Sequence, residues 1–180
     1  LSVVTGVNSI SVCSSINIGI ILLYLLGFFV QGMSEEFIFR GYLMTTIGGH
    51  HSAWLALAIS SGAFAFAHVF NPGFNVLSCI NLAMFGMFAG LYMICFNDIW
   101  GVCGIHSIWN FMQGNFYGIS VSGTGNTESV FRTTSKTSYS WLNGGDFGIE
   151  GSIFTTIVLL SGIVLILIKI RKNQNKEELS

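Results

Sequence analysis

SEEFIFRGYL, residues 34–43, holds the first charges of the chain. Between Leu1 and Asn97 the only charged side chains are Glu35, Glu36 and Arg40. A charged side chain near a bilayer centre costs about 2.5–3.5 kcal/mol on insertion scales, so three left unpaired would rival the stability of a whole domain. Glu36 and Arg40 stand four residues apart with the acid first, the favourable order for a helical ion pair. Glu35 is rotated by about 100° from Glu36 around the helix axis, so that pairing leaves it aimed elsewhere. Spacing thus suggests two devices: a structural pair, Glu36–Arg40, and an available carboxylate, Glu35. The simpler alternative is a cluster in the headgroup region that marks a helix end, where the insertion cost nearly vanishes.

The surrounding sequence speaks for lipid. The 180 residues are 52% hydrophobic and 8% charged, with a mean hydropathy of +0.69. Soluble domains carry about a quarter charged residues, so an all-α, polytopic transmembrane helix bundle is expected. Apolar stretches at 11–33 (running on as helix to Gly48-Gly49), 50–70, 74–96, 99–117 and 152–168 predict about five to six membrane segments. A net charge of −1 offers no basic patch for nucleic acid. The expected partners are the bilayer and a peptide or protein.

Asn71-Pro72-Gly73 is a turn signal. Residues 118–151, rich in Ser, Thr, Gly and Asn, read as an extramembrane loop. Lys169, Arg171, Lys172 and Lys176 follow the last span, which puts the C-terminus in the cytoplasm and that loop outside. One domain over 1–170 with a polar tail over 171–180 is expected, and the start at Leu1 suggests missing N-terminal sequence. Cys13, Cys79, Cys95 and Cys103 sit singly in apolar stretches and read as small buried hydrophobes. Gly86-xxx-Gly90 permits close helix approach.

Other polar groups recur on later segments. His68 lies in FAFAHVF, and alone it reads most simply as a packing residue. His106 and Asn110 are four apart and share a helix face, a pair that interhelical hydrogen bonding would explain. Together with Glu35 these groups form a reactive set. Glu35 with His68 could deprotonate a water, while His106 and Asn110 could donate to the oxyanion of a tetrahedral intermediate. Glu35, His68 and His106 would equally serve as zinc ligands, although no HExxH is present. No GxSxG supports a serine nucleophile.

EEFIFR, FAFAH (64–68) and HSIWN (106–110) fit EExxxR, FxxxH and HxxxN in that order. In this they resemble the CAAX proteases and bacteriocin-processing enzymes, also called the type II CAAX prenyl endopeptidase or lysostaphin-resistance-like family. The resemblance covers about residues 15–170 and implies an intramembrane endopeptidase of the bacterial plasma membrane. It implies Glu35 and His68 as activators of water, His106 and Asn110 as the oxyanion hole, and Glu36, Arg40 and Phe64 in support. Both a metalloprotease, with zinc the expected ion, and a metal-free glutamate-based mechanism are compatible with it.

Three functions follow. The first is peptide hydrolysis by Glu/His-activated water. The second is a non-catalytic membrane scaffold or bacteriocin self-immunity protein of the same family. A transporter or channel ranks last, because no paired interrupted helices appear in two halves. One geometric conflict stands out: the expected spans put His68 and His106 at depths differing by roughly 10 Å, at 1.5 Å rise per residue.

Overall fold

The computed structural model describes residues 1–125 and 128–177, with side chains to residue 175. Asn126 and Thr127 of the expected loop, residues 178–180 of the tail and the Lys176 side chain lie outside the described residues. Helix dominates, in the order β1 (Asn8–Val12), α1 (Ile18–Glu36), a π-helical stretch (Phe37–Met44), α2 (Thr45–Gly48), α3 (Ala53–Phe66), α4 (Val76–Phe96) and α5 (Ile99–Phe111). A π-helical turn (Met112–Phe116), β2 (Phe131–Ser135), α6 (Ser140–Asn143), two 3₁₀ turns and α7 (Ile153–Glu177) follow.

Local chemistry sets the helix ends. Asn17 accepts from Ile20 N at 3.2 Å, Ser52 from Leu55 N at 3.3 Å and Asp98 from Gly101 N at 3.1 Å. At Asn75 a capping box forms with Ser78. Each cap supplies an acceptor to an otherwise orphaned amide of the first turn. Asn97 ends α4 in the left-handed region, φ 50°, which Asn tolerates better than most residues.

Three stretches are long and apolar enough to cross a membrane: Ile18–Gly48, Val76–Phe96 and Ile153–Asn175. The expected count of five to six is not reached, for a physical reason. The helix of the expected 50–70 span covers only the 14 residues of α3, about 21 Å at 1.5 Å per residue against a hydrocarbon core of about 30 Å. Likewise α5 has 13 residues before its hydrogen bonding widens into the π turn. Outward-facing Leu22, Leu23, Leu26 and Val30 on α1, and Leu160 and Leu165 on α7, are exposed, as a lipid-facing surface requires.

The chain is also not wholly α-helical. β1 pairs antiparallel with β2, Asn8 opposite Ser135 and Val12 opposite Phe131. The expected loop over 118–151 therefore contains a strand that ties back to the N-terminal segment, and part of it turns inward. Phe147 is fully buried against Phe64, Ala65, Leu82, Phe85 and Leu159. A second apolar cluster joins Met44, Ala56 and Leu57 to Leu91, Ile163 and Ile166. In this arrangement α1 packs on α5, α3 on α4, and α4 on α7.

Candidate active site

The site begins where α1 and α5 touch. A Cβ on Gly32 would stand 2.6 Å from Ser107 Oγ and 3.0 Å from its backbone N, so the two helix backbones are close neighbours. This sets Gln31, Glu35 and Glu36 of α1 beside His106 and Asn110 of α5. Glu36 and Arg40 are both fully buried, with Arg40 Nη1 donating to Glu36 Oε1 at 3.1 Å. His106 Nδ1 donates to the same oxygen at 2.7 Å, since a carboxylate oxygen accepts. Glu36 thus joins Arg40 to His106 instead of serving Arg40 alone.

The guanidinium has a further partner. It lies 4.5 Å from the Phe64 ring centroid, in cation–π contact. Among the described residues Arg40 Nε and Nη2 find no hydrogen-bond partner, so the ring face stands in for part of the lost hydration. Gly86 makes room for this: a Cβ there would lie 3.0 Å from Arg40 Nη2 and 2.8 Å from Ser61 Cα. The first half of Gly86-xxx-Gly90 therefore admits a charge as well as a helix.

Glu35 is held differently. Its Oε1 accepts from Gln31 Nε2, and Gln31 Oε1 accepts from Asn110 Nδ2 at 2.9 Å. Glu35 Oε2 is buried without a hydrogen bond and lies 3.8 Å from His106 Nε2. Gln31, a residue the motif reading passed over, links the carboxylate to the amide. A signal was present, because Gln31 precedes Glu35 by four residues in an apolar run and so shares its helix face.

His68 lies just past the C-terminus of α3. Its Nδ1 donates to Phe64 O at 2.8 Å, which leaves Nε2 with the lone pair in the neutral ring. Phe64 also packs against both imidazoles, with ring centroids 4.9 Å from His68 and 5.9 Å from His106. The two histidines, for which the expected spans gave different depths, line one cavity. Among the described residues, however, no direct contact joins Glu35 to His68.

His68, His106, Asn110 and Gln31 meet instead around one cavity, which Trp109 and Glu150 also line. It leaves about 20 Å³ open to the centre of a water molecule, where about 10–15 Å³ suffices for one water. Glu35 stands behind Gln31 and His106. Among the described residues no three His, Cys, Asp or Glu side chains converge as a metal site. With His106 Nδ1 on Glu36 and His68 Nδ1 on a carbonyl, each ring keeps Nε2 for other work, an arrangement that zinc-ligating histidines and metal-free ones share.

Glu150 is the second residue the sequence reading missed. It is 8% exposed and comes from the 3₁₀ turn before α7, in a stretch taken for an aqueous loop. Burial pushes its carboxyl up from the ordinary value, while hydrogen bonds from Ser122 and Gln113 pull it back.

No curated protein and no solved structure matches this chain. A family model described as type II CAAX prenyl endopeptidase Rce1-like matches residues 17–112. The matched stretch covers more than half of the 180 residues and holds all three motifs and every group of the α1–α5 wall. By that match the chain belongs to the Rce1-like family of type II CAAX prenyl endopeptidases, a family of membrane-embedded peptidases.

Proposed function

We propose that the chain is an intramembrane endopeptidase that hydrolyses a peptide bond with water activated by Glu35 and His68. The observation that carries the reading is the shared cavity, where His68, His106 and Asn110 from two helices border a space fit for one water. Glu35, which meets this water only by relay through its neighbours Gln31 and His106, is the final acceptor of the proton, and Gln31 fixes the carboxylate's direction. His68, whose Nε2 carries the lone pair, is the second acceptor on the cavity. An N–H at His106 Nε2 and the second N–H of Asn110 stabilise the oxyanion. Glu36 orients His106 and spreads the charge of Arg40. Each step uses this chain's own groups and water.

The substrate is a membrane-associated protein or peptide. The reading sets the chain in a bacterial plasma membrane with its tail in the cytoplasm, supported by the family resemblance and by Lys169, Arg171 and Lys172 at the end of α7. The test is cleavage of a membrane-anchored reporter carrying a fluorophore and a quencher, with the full chain in proteoliposomes. Wild type is expected to cut it. Glu35→Ala and His68→Ala, at unchanged yield, are expected to lose about 10²–10⁴-fold in rate. Cleavage that survives both substitutions overturns the assignment. Toxin immunity that survives Glu35→Ala would favour the binding protein of the same family.

A further inference from the structure

Glu150 lies outside the stretch matched by the family model and outside all three motifs. Its backbone is fixed by Asn81, a buried side chain of α4 that donates to Glu150 O at 2.6 Å and to Ser152 O at 2.9 Å. Its carboxylate is used asymmetrically. Oε2 accepts from Ser122 N, from Ser122 Oγ at 3.0 Å and from Gln113 Nε2 at 3.2 Å. Oε1 accepts from no group among the described residues. Unlike Glu35 Oε2 and Glu36 Oε2, which are buried without a donor, this oxygen keeps some accessible surface. Here one oxygen is left over on a residue that lines the cavity beside His68.

The shape of a peptide bond says what that oxygen is for. In a trans peptide the C=O and N–H point in opposite directions. If the scissile oxygen rests on the donors of α5, Asn110 and His106, then the N–H faces the other wall. The acceptors left on the cavity for it are His68 at the end of α3 and Glu150, whose backbone Asn81 holds and whose Oε2 Gln113 engages. An N–H brought into this apolar setting needs an acceptor. Hydrolysis then turns a neutral amide and water into a carboxylate and, at neutral pH, an ammonium group on the departing half.

We propose that Glu150 receives the amine side of the scissile bond, its Oε1 accepting the substrate N–H and then pairing with the ammonium of the departing product. This rests on the peptidase reading above and deepens it. It makes Glu150 a substrate-contacting residue that sets which way round the peptide lies, and it assigns the α5 wall to the acyl half and the Glu150 wall to the amine half.

The experiment uses the full chain in proteoliposomes and the fluorophore–quencher reporter, with its two cleavage products added separately as inhibitors. Glu150→Gln keeps the shape and an acceptor oxygen and removes the charge. It is expected to lower kcat/KM by about tenfold or more and to weaken inhibition by the amine-terminated product about tenfold, the scale of a charge-assisted hydrogen bond. Inhibition by the acid-terminated product should stay unchanged, a split that a merely structural role would not produce. Glu150→Asp, which keeps the charge and withdraws it by one methylene, should recover part of both losses, and it serves as the test where Glu150→Gln fails to fold. Unchanged kcat/KM with unchanged amine-product inhibition in these variants overturns the proposal. So does equal weakening of inhibition by both products. If wild type cuts nothing, or Glu35→Ala cuts as fast as wild type, the peptidase reading itself falls, a result distinct from the failure of Glu150.

Discussion

The two walls of the cavity are built by different means. On the α1–α5 wall, Gln31, Glu35, Glu36, Arg40, His106 and Asn110 form one chain of contacts carried by two helices and the π-helical stretch that continues α1. On the second wall, His68 and Glu150 come from just past a helix end and from a 3₁₀ turn, held by the Phe64 carbonyl, Ser122, Gln113 and Asn81. The first wall is rigid through side-chain spacing within helices. The second is rigid through backbone carbonyls and loop amides. A reactive geometry can thus be assembled half from helical register and half from long-range closure.

The largest test of this contrast is removal of the charge that anchors the first wall. Arg40→Ala would leave Glu36 buried without its cation, and a broken buried pair costs about 3–5 kcal/mol. Unfolding in detergent should show that loss, and Glu36→Gln/Arg40→Met should recover most of it. If Arg40→Ala unfolds like wild type, the anchor is not electrostatic.

An intermediate effect is expected at Gln31. Gln31→Leu removes the bonds to Glu35 and Asn110 together and should lower kcat/KM by about ten- to a hundredfold, with about 1–3 kcal/mol lost in unfolding for the polar groups left without a partner. Unchanged cleavage would mean that Glu35 needs no holder.

The smallest effect belongs to the second wall and appears as a pH dependence. The Glu150 carboxyl is raised in the folded state above its ordinary value of 4.5. The folded form therefore binds more protons than the unfolded form across that interval. Its contribution to stability is present below 4.5 and is lost as pH rises through the raised value. Glu150→Gln should flatten this part of the unfolding-against-pH curve. An identical slope in wild type and variant would place the titration elsewhere.

The first wall was legible because its information is local. Glu36 and Arg40 are spaced for an ion pair, His106 and Asn110 share a face, and Gln31 could have been read by the same rule from Glu35. The second wall was not legible because its contacts join distant segments. Asn81 meets Glu150 and Ser152, and Asn8 pairs with Ser135, and no short spacing announces such closures. The expected number of spans is not reached for a related reason. Apolarity runs on from α3 through His68 to Phe70, but the helix ends at Phe66, and His68, past that early end, lines the same cavity as His106.

Asn81 also bears on which part of the chain can fold by itself. Its amide nitrogen serves Glu150 O and Ser152 O, and its oxygen accepts from Thr156 Oγ1 at 2.6 Å. All of these partners lie beyond residue 112, where the family match ends. A polypeptide cut there would keep every catalytic motif and yet strand a whole amide, nitrogen and oxygen alike, inside the apolar packing of α4. The motif-bearing stretch thus leans on the segment after it, and the last helix completes the packing of α4.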